Sequence, residues 1–72
     1  MLTVDRTKIE IAQAKKGISS AKLNKLSGLS SATYYAMLVG KPCKPTSVHK
    51  LAKALGVDVT EILKESEGAD ND

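Results

Sequence analysis

The spacing of glycines sets the scale of any element that this chain can form. Four of its five glycines divide the first 56 residues into short segments, namely Gly17, Gly28, Gly40 and Gly56. No segment alternates apolar and polar residues for long enough to predict a strand, and β-branched residues do not cluster. With 72 residues in all, the chain has room for one small domain. We therefore expect an all-α domain, without space for a large enzyme pocket.

The first three predicted helices each begin after a residue type that caps helix N-termini and end before a glycine. Their bounds are Thr3 or Asp5 to Lys16, then Ser20–Ser27 after Ser19, then Ser31 to Leu38 or Val39 after Ser30. Helical spacing predicts inner faces of Ile9, Ala12, Val4 and Ile11 in the first helix, Leu23 and Leu26 in the second, and Tyr34 and Met37 in the third.

The fourth predicted helix carries the clearest helical pattern in the chain. The positions i, i+3, i+4 and i+7 of one face are filled by Val48, Leu51, Ala52 and Leu55. Thr46 is its candidate cap, and Gly56 ends it. A fifth, short helix is capped by Thr60 and carries Ile62 and Leu63. We expect the domain to span residues 1–66 and the acidic tail, residues 67–72, to be disordered because it has nothing to bury.

Charge is distributed unevenly along the chain, although the net charge is only +3. No Asp or Glu occurs from residue 11 to residue 57, and the same span contains eight lysines: Lys15, Lys16, Lys22, Lys25, Lys41, Lys44, Lys50 and Lys53. Such a domain presents a positive field, which attracts polyanions such as nucleic acid or a membrane surface. Lysines that serve only solubility are the alternative, but solubility does not require carboxylates to be missing.

Several classes of site are disfavoured by what the chain lacks. No apolar run approaches the ~18–20 residues that cross a bilayer, and the N-terminus lacks a signal-peptide pattern, so we expect a cytoplasmic protein without a membrane partner. One cysteine, Cys43, excludes a disulfide framework and a cysteine-based zinc site. The lysines near it favour a lowered thiol pKa, whereas a neutral loop residue is the default interpretation. We expect no metal, cofactor or small-molecule ligand.

The second and third predicted helices are joined by a tight turn at residues 27–29. Two helices joined so tightly cross at a steep angle over a shared apolar interior, here Leu23, Leu26, Leu29, Tyr34 and Met37. The outer side of the third helix then carries small and hydroxyl-bearing side chains. A DNA major groove, about 12 Å wide, admits such a helix, and the N-terminal residues of the helix meet the base edges.

Two blocks of sequence together resemble the phage-repressor (Cro-type, lambda repressor-like) helix-turn-helix family. Residues 20–38 read SAKLNKLSGLSSATYYAML, with core and turn positions of the motif at Leu23, Gly28, Leu29, Tyr34 and Met37. Residues 45–63, PTSVHKLAKALGVDVTEIL, look like the family's fourth and fifth helices. The resemblance covers about residues 9–63 and implies a compact five-helix domain. It also implies binding to operator DNA as a two-fold homodimer, with the third helix in the major groove.

The resemblance implies a set of residues that contact DNA. Ser20 is expected to touch phosphate or a base. The third helix would face base edges through Ser31, Ala32, Tyr35 and Ala36, with Thr33 as a further methyl contact to thymine, and its cap Ser30 is also expected to contact DNA. Phosphates would be held by Lys41, Lys44, Thr46 and Ser47, and free N–H groups at a helix start bind phosphate on general grounds. Dimer contacts, with a place in the core as the equal alternative, are expected at Val57, Val59, Ile62 and Leu63.

The chain departs from the family's pattern at several positions. Ser20 stands where a longer Gln is frequent, and Asn24 stands where Ala permits close approach of the two helices. Gln13 and Leu38 occupy the positions of an Arg–Glu ion pair that many members carry. The third helix contains no Arg, Lys, Asn or Gln, so bidentate contacts to guanine or adenine are missing from it. We expect weak or A·T-leaning specificity, assisted by DNA shape.

Two functions are compatible with these features. The leading one is a sequence-specific regulator of transcription that binds double-stranded DNA as a repressor. The alternative is a protein-interaction module, such as an antitoxin or an adaptor. This alternative is favoured by the third helix, which has few side chains that can read bases, and by the pair Leu38–Val39. An enzyme is disfavoured because no nucleophile–base pair or Gly-rich phosphate loop is visible. Outside the acidic C-terminal stretch, the carboxylates are only Asp5 and Glu10.

Overall fold

A computed structural model describes residues 1–64 of the chain. Its elements are four α-helices and one 3₁₀ turn: α1 (Arg6–Lys16), α2 (Ser20–Ser27), α3 (Ser31–Leu38), α4 (Pro45–Leu55) and the turn Val59–Glu61. Pairing between extended segments is limited, in this part of the chain, to two isolated antiparallel bridges. The all-α prediction is confirmed for residues 1–64, but the fifth helix is only a 3₁₀ turn. The predicted tail, residues 67–72, lies outside the described range.

Side-chain caps and left-handed glycines set the bounds of the first helices, as predicted. Asp5, Ser19 and Ser30 each accept a hydrogen bond of 3.2 Å from the backbone N–H three positions along the chain. Gly17 and Gly28 end α1 and α2 with φ of 75° and 73°. Glycine adopts this region without the steric cost of a β-carbon. The structure therefore selects Asp5, rather than Thr3, as the cap of α1.

The predicted caps Thr46 and Thr60 are wrong. Helix α4 begins with Pro45 at its first position, where proline's fixed φ suits the helix and its missing N–H has no partner to lose. Lys44 occupies the cap position and makes no side-chain capping bond. Thr60 lies inside the 3₁₀ turn, whose cap is Asp58 because its carboxylate accepts the Thr60 N–H at 3.0 Å. Ile62 and Leu63 follow this turn rather than lying in a fifth helix.

The core forms around α4, which packs against α1, α2 and the 3₁₀ turn. The predicted apolar stripe of α4 is confirmed, since all its members are buried. The buried apolar residues are Val4, Ile9, Ala12, Leu23, Tyr34, Met37, Cys43, Val48, Leu51, Ala52, Leu55 and Ile62. Tyr34 is the largest fully buried side chain. Helix α3 therefore joins the core through one face only, with Tyr34 and Met37.

Two residues that the sequence placed on inner faces lie outside the core. Leu26 is 50% exposed and Ile11 is 51% exposed. Ser27 is buried next to Leu26 because the turn uses its hydroxyl group twice. Its Oγ donates to the carbonyl oxygen of Asn24 at 2.8 Å and accepts the N–H of Leu29 at 3.2 Å. The polar Ser27 thus takes a buried position at the end of α2 while the apolar Leu26 stays half exposed, an inversion that helical spacing could not reveal.

The N-terminal segment joins distant parts of the chain. Leu2 exchanges two backbone hydrogen bonds with Cys43, at 2.9 and 2.7 Å. Val4 forms the second bridge, with Leu63. Val4 precedes α1, so its predicted place on that helix is wrong, although its burial in the core is confirmed.

Candidate nucleic-acid interface

Helix α3 presents small and hydroxyl-bearing residues on the side away from the core. Tyr34 and Met37 are 0% and 1% exposed, whereas Ser31, Ala32 and Tyr35 are exposed. Residues three and four apart lie on the same side of a helix, so these exposed residues form one continuous strip. We call Ser31, Ala32 and Tyr35 the outer strip of α3. Thr33 and Ala36, at its edges, are half-buried.

Tyr35 is the one large side chain on the outer strip. It is 56% exposed, and its ring packs edge to face with the ring of Tyr34. The ring centroids are 5.1 Å apart with an interplanar angle of 75°, a favourable edge-to-face arrangement. The fully buried Tyr34 thus supports a ring that remains accessible to a ligand.

The hydroxyl groups at the start of α3 already have partners within the protein. Ser31 Oγ donates to Oδ1 of Asn24 at 3.2 Å, and the amide of Asn24 donates to the carbonyl of Leu29 at 2.9 Å. Ser30 Oγ caps α3 and donates to Oγ1 of Thr33 at 3.0 Å. A hydroxyl has one donor proton and two acceptor lone pairs. In this arrangement Ser31 therefore offers a ligand acceptor capacity only.

Asn24 and Gln13 are site residues whose contacts sequence reasoning missed. Asn24 links α2 to both the turn and α3, although the sequence suggested only that it would separate the helices. Gln13 Nε2 donates to Oγ of Ser20 at 3.3 Å, which connects the end of α1 to the start of α2. No periodic signal relates residues seven positions apart across a loop, so these contacts require the fold.

A cleft between α3 and α4 brings four of the predicted DNA-contacting residues together. Its volume is about 310 Å³, and its lining includes Thr33, Ala36, Lys44 and Ser47. The N–H of Lys41 donates to the carbonyl of Ala36 at 3.0 Å, so the basic loop starts directly from the last turn of α3. We call this space the α3–α4 cleft. Ser20 does not line it and lies instead at the start of α2.

Met1 also lines the α3–α4 cleft, and it is 81% exposed. Backbone pairing of Leu2 with Cys43 brings the start of the chain to this position. Residues 1–4 carried no sequence signal for a site, because an isolated bridge has no recurring pattern.

The electrostatics at the N-terminal ends of α2, α3 and α4 favour an anion. Helices α2, α3 and α4 have no acidic residue in their first turns, so their positive N-terminal ends are not neutralised there. The N-terminus of α4 also lacks a side-chain cap, and Lys44 and Thr46 are exposed beside it. The eight lysines of residues 11–57 are all exposed, but only Lys44 lines the α3–α4 cleft, whereas Lys16, Lys50 and Lys53 line a separate groove. Backbone N–H groups and ammonium groups together can hold phosphate.

Cys43 does not have the lowered thiol pKa that its lysine neighbours suggested. The side chain is buried, and Sγ donates to the carbonyl of Leu2 at 3.2 Å. Burial raises the pKa of the thiol, and the positive charge of the N-terminus only partly opposes this. The prediction of a lowered pKa is therefore wrong, because desolvation outweighs the nearby positive charge.

The predicted dimer contacts divide into two groups. Ile62 is fully buried, so it belongs to the core and has no side-chain surface for a partner. Val57, Val59 and Leu63 are half-buried and pack against the core, which leaves part of each accessible. Val39, at the end of α3, is 65% exposed.

Residues 1–64 offer neither a metal-binding cluster nor a membrane-spanning helix. No group of three or more His, Cys, Asp or Glu residues in this range could hold a metal ion. None of the helices described there is long and apolar enough to cross a membrane.

The chain matches a protein-family model over most of its length. Residues 8–66 match the model of the Cro/C1-type HTH DNA-binding domain. No curated protein and no solved structure shows a significant match. The matched range contains α2, the tight turn, α3 with its outer strip, and every residue that lines the α3–α4 cleft except Met1. The chain therefore belongs to the Cro/C1-type helix-turn-helix DNA-binding family.

Proposed function

We propose that this protein is a sequence-specific repressor that binds double-stranded DNA with α3 in the major groove. The observation that carries the proposal is the outer strip of α3, which is exposed beside a cleft containing Lys44 and Ser47. The strip supplies base contacts and the cleft supplies phosphate contacts, which are the two kinds of contact that a specific complex needs.

Base reading by α3 relies on few and short side chains. The methyl group of Ala32 can pack against the methyl group of thymine. Ser31, whose proton is held by Asn24, can accept a hydrogen bond from the amino group of adenine or cytosine. Tyr35 adds a supported aromatic ring. These contacts favour A·T-rich sites, and DNA shape adds to their selectivity.

Phosphate contacts come from the elements around α3. At the start of α4, Pro45 has no N–H and the N–H of Ser47 donates to the carbonyl of Lys44 at 3.0 Å, so the N–H of Thr46 and the hydroxyls of Thr46 and Ser47 are the groups offered to a phosphate. Lys41 and Lys44 add positive charge from the preceding loop. Ser20, held by Gln13, offers a hydroxyl at the start of α2. Such contacts fix the orientation of the protein on the duplex without reading its sequence.

We assign the partner surface of a homodimer to the accessible parts of Val57, Val59 and Leu63, three half-buried apolar residues within one stretch of seven. A two-fold dimer presents two copies of α3, which read two half-sites in inverted orientation. Repression then follows from occupancy, because a bound dimer keeps other proteins off the same stretch of duplex.

The proposal is tested by selecting bound duplexes from a random pool at low salt. We expect enrichment of A·T-leaning sites with two inverted half-sites, about 34 Å apart from centre to centre. Enrichment of single, unpaired half-sites would contradict the dimer. If no duplex is enriched while a cellular protein co-purifies with the chain, the protein-interaction alternative, an antitoxin or adaptor, replaces the regulator.

A further inference from the structure

A groove lies where the C-terminal ends of α1 and α2 meet α4. Its volume is about 510 Å³, and it is lined by Lys16, Leu26, Ser27, Gly28, Lys50, Lys53 and Ala54. None of these residues belongs to the proposed DNA contacts. We call this space the lysine groove.

The lysine groove has an apolar floor that the fold itself leaves open. Leu26 is 50% exposed although its spacing on α2 is that of a core residue, and Ala54 is half-buried. Ser27, which follows Leu26 at the end of α2, is buried, and its hydroxyl takes part in two hydrogen bonds. A ligand in the groove can therefore bury the part of Leu26 that the fold leaves exposed.

The rim of the groove carries three ammonium groups. Lys16, Lys50 and Lys53 are exposed, and none forms an ion pair with another described residue. A β-carbon built on Gly56 would lie 3.6 Å from Nζ of Lys16, so this ammonium group sits over the C-terminal end of α4. The carbonyl groups of a helix C-terminus attract a cation, which holds Lys16 at the rim.

We infer that the lysine groove binds an acidic protein segment with a large apolar side chain. The apolar side chain would cover Leu26 and Ala54, and carboxylates around it would meet Lys16, Lys50 and Lys53. A DNA backbone matches the lysines equally well, but it offers no apolar group to cover Leu26. An apolar centre surrounded by a polar rim is the general arrangement of protein–protein interfaces.

Binding in the lysine groove does not depend on the proposed DNA binding. The groove uses the C-terminal ends of helices, whereas the outer strip and the α3–α4 cleft use α3 and the N-terminus of α4. An acidic partner and a duplex therefore engage separate residues, and the two ligands can be tested independently.

The test uses a short fluorescent peptide of glutamates with two central leucines, whose binding to the full chain is followed by anisotropy. We expect Leu26→Ser to weaken binding about fivefold, because apolar burial is lost. The double change Lys50→Ala and Lys53→Ala should weaken it roughly threefold to tenfold, as expected for exposed ion pairs. Lys15→Ala removes the neighbouring charge on α1, outside the groove, and should leave the peptide affinity unchanged.

Two further measurements complete the test. A peptide with serines in place of the leucines should bind at least about fivefold more weakly, and equal binding of both peptides would overturn the inference. Random duplex DNA is titrated against the same variants. If the two groove variants lose DNA affinity but not peptide affinity, the lysines serve DNA and the inference is wrong.

Discussion

At the scale of single residues, Tyr35 is the one large side chain of the outer strip of α3, and the proposed base reading relies on it most. We predict that Tyr35→Ala lowers the preference for a selected duplex over random DNA about fivefold or more, since the loss of recognition at one base pair typically costs about 1–3 kcal/mol. The domain should stay folded, because the residue is 56% exposed. Lys44→Ala, the control, should weaken both kinds of binding alike. Competition titrations measure the ratio of the affinity for the selected duplex to the affinity for random DNA. If Tyr35→Ala leaves this ratio unchanged, other residues read the bases.

Tyr34 gives a second prediction at this scale, which concerns stability. Its hydroxyl is buried and has no hydrogen-bond partner among the described residues. Because an unsatisfied buried polar group costs about 1–3 kcal/mol, we expect Tyr34→Phe to raise the free energy of unfolding by about 1 kcal/mol. Urea denaturation measures the change. A loss of stability would show that the hydroxyl group has a partner.

Cys43 makes one component of stability depend on pH. Burial raises the pKa of its thiol, so the folded chain holds this proton more tightly than the unfolded chain does. The stabilisation is complete below the ordinary thiol pKa, about 8.5, and is lost as pH rises through the folded pKa. We expect stability above pH ~9 to fall further in the wild type than in Cys43→Ala. The free energy of unfolding of both proteins is measured by urea denaturation across this pH range. An equal loss of stability in the two proteins would contradict the prediction.

At the scale of elements, the residues that cap each helix determined how accurately its first and last residues could be predicted. The bounds of α2 were predicted to the residue because Ser19 and Gly28 mark its ends. The start of α4 was missed because Thr46, a good capping type, competes with Pro45, whose preference for the first helical position prevailed. The exposure of Leu26 was missed because apolar spacing predicts which residues share a face of α2, but not how far the packing against α4 covers that face.

Helix α3 has only eight residues, so its cap matters for both stability and binding. We predict that Ser30→Ala lowers the free energy of unfolding by about 1 kcal/mol, because the N–H of Thr33 loses its acceptor. Ser30→Asp keeps an acceptor and should restore stability. Its added negative charge should nevertheless weaken DNA binding severalfold if α3 lies against phosphates. Equal DNA affinity of Ser30→Asp and the wild type would place this end of α3 away from the duplex.

At the scale of the whole molecule, segregated charge predicts strong salt dependence. Residues 11–57 carry eight exposed lysines and no carboxylate. If about 6–10 phosphates are contacted, affinity for DNA should fall roughly a thousandfold or more between 50 and 200 mM salt. Lys41→Ala should lower the slope of log affinity against log salt by about one. If the affinity for DNA does not change with salt concentration, the proposed phosphate contacts are wrong.

Much of the candidate site could be read from the chain before its fold was known, because a helix face is a local property. Burial of Tyr34 and Met37 and exposure of Tyr35 follow from spacing alone. The α3–α4 cleft could not be predicted, since it requires Met1 and Lys44 to meet through the pairing of distant backbone segments.

The bridge between Leu2 and Cys43 has a practical consequence. It delivers the first residue, Met1, to the mouth of the α3–α4 cleft, so a purification tag or fluorophore fused ahead of Met1 emerges where the duplex is proposed to lie. A leader of acidic residues would compete with DNA, and a basic one would add spurious affinity. Labels are better carried by an exposed α1 side chain such as Lys15, which leaves that mouth unobstructed.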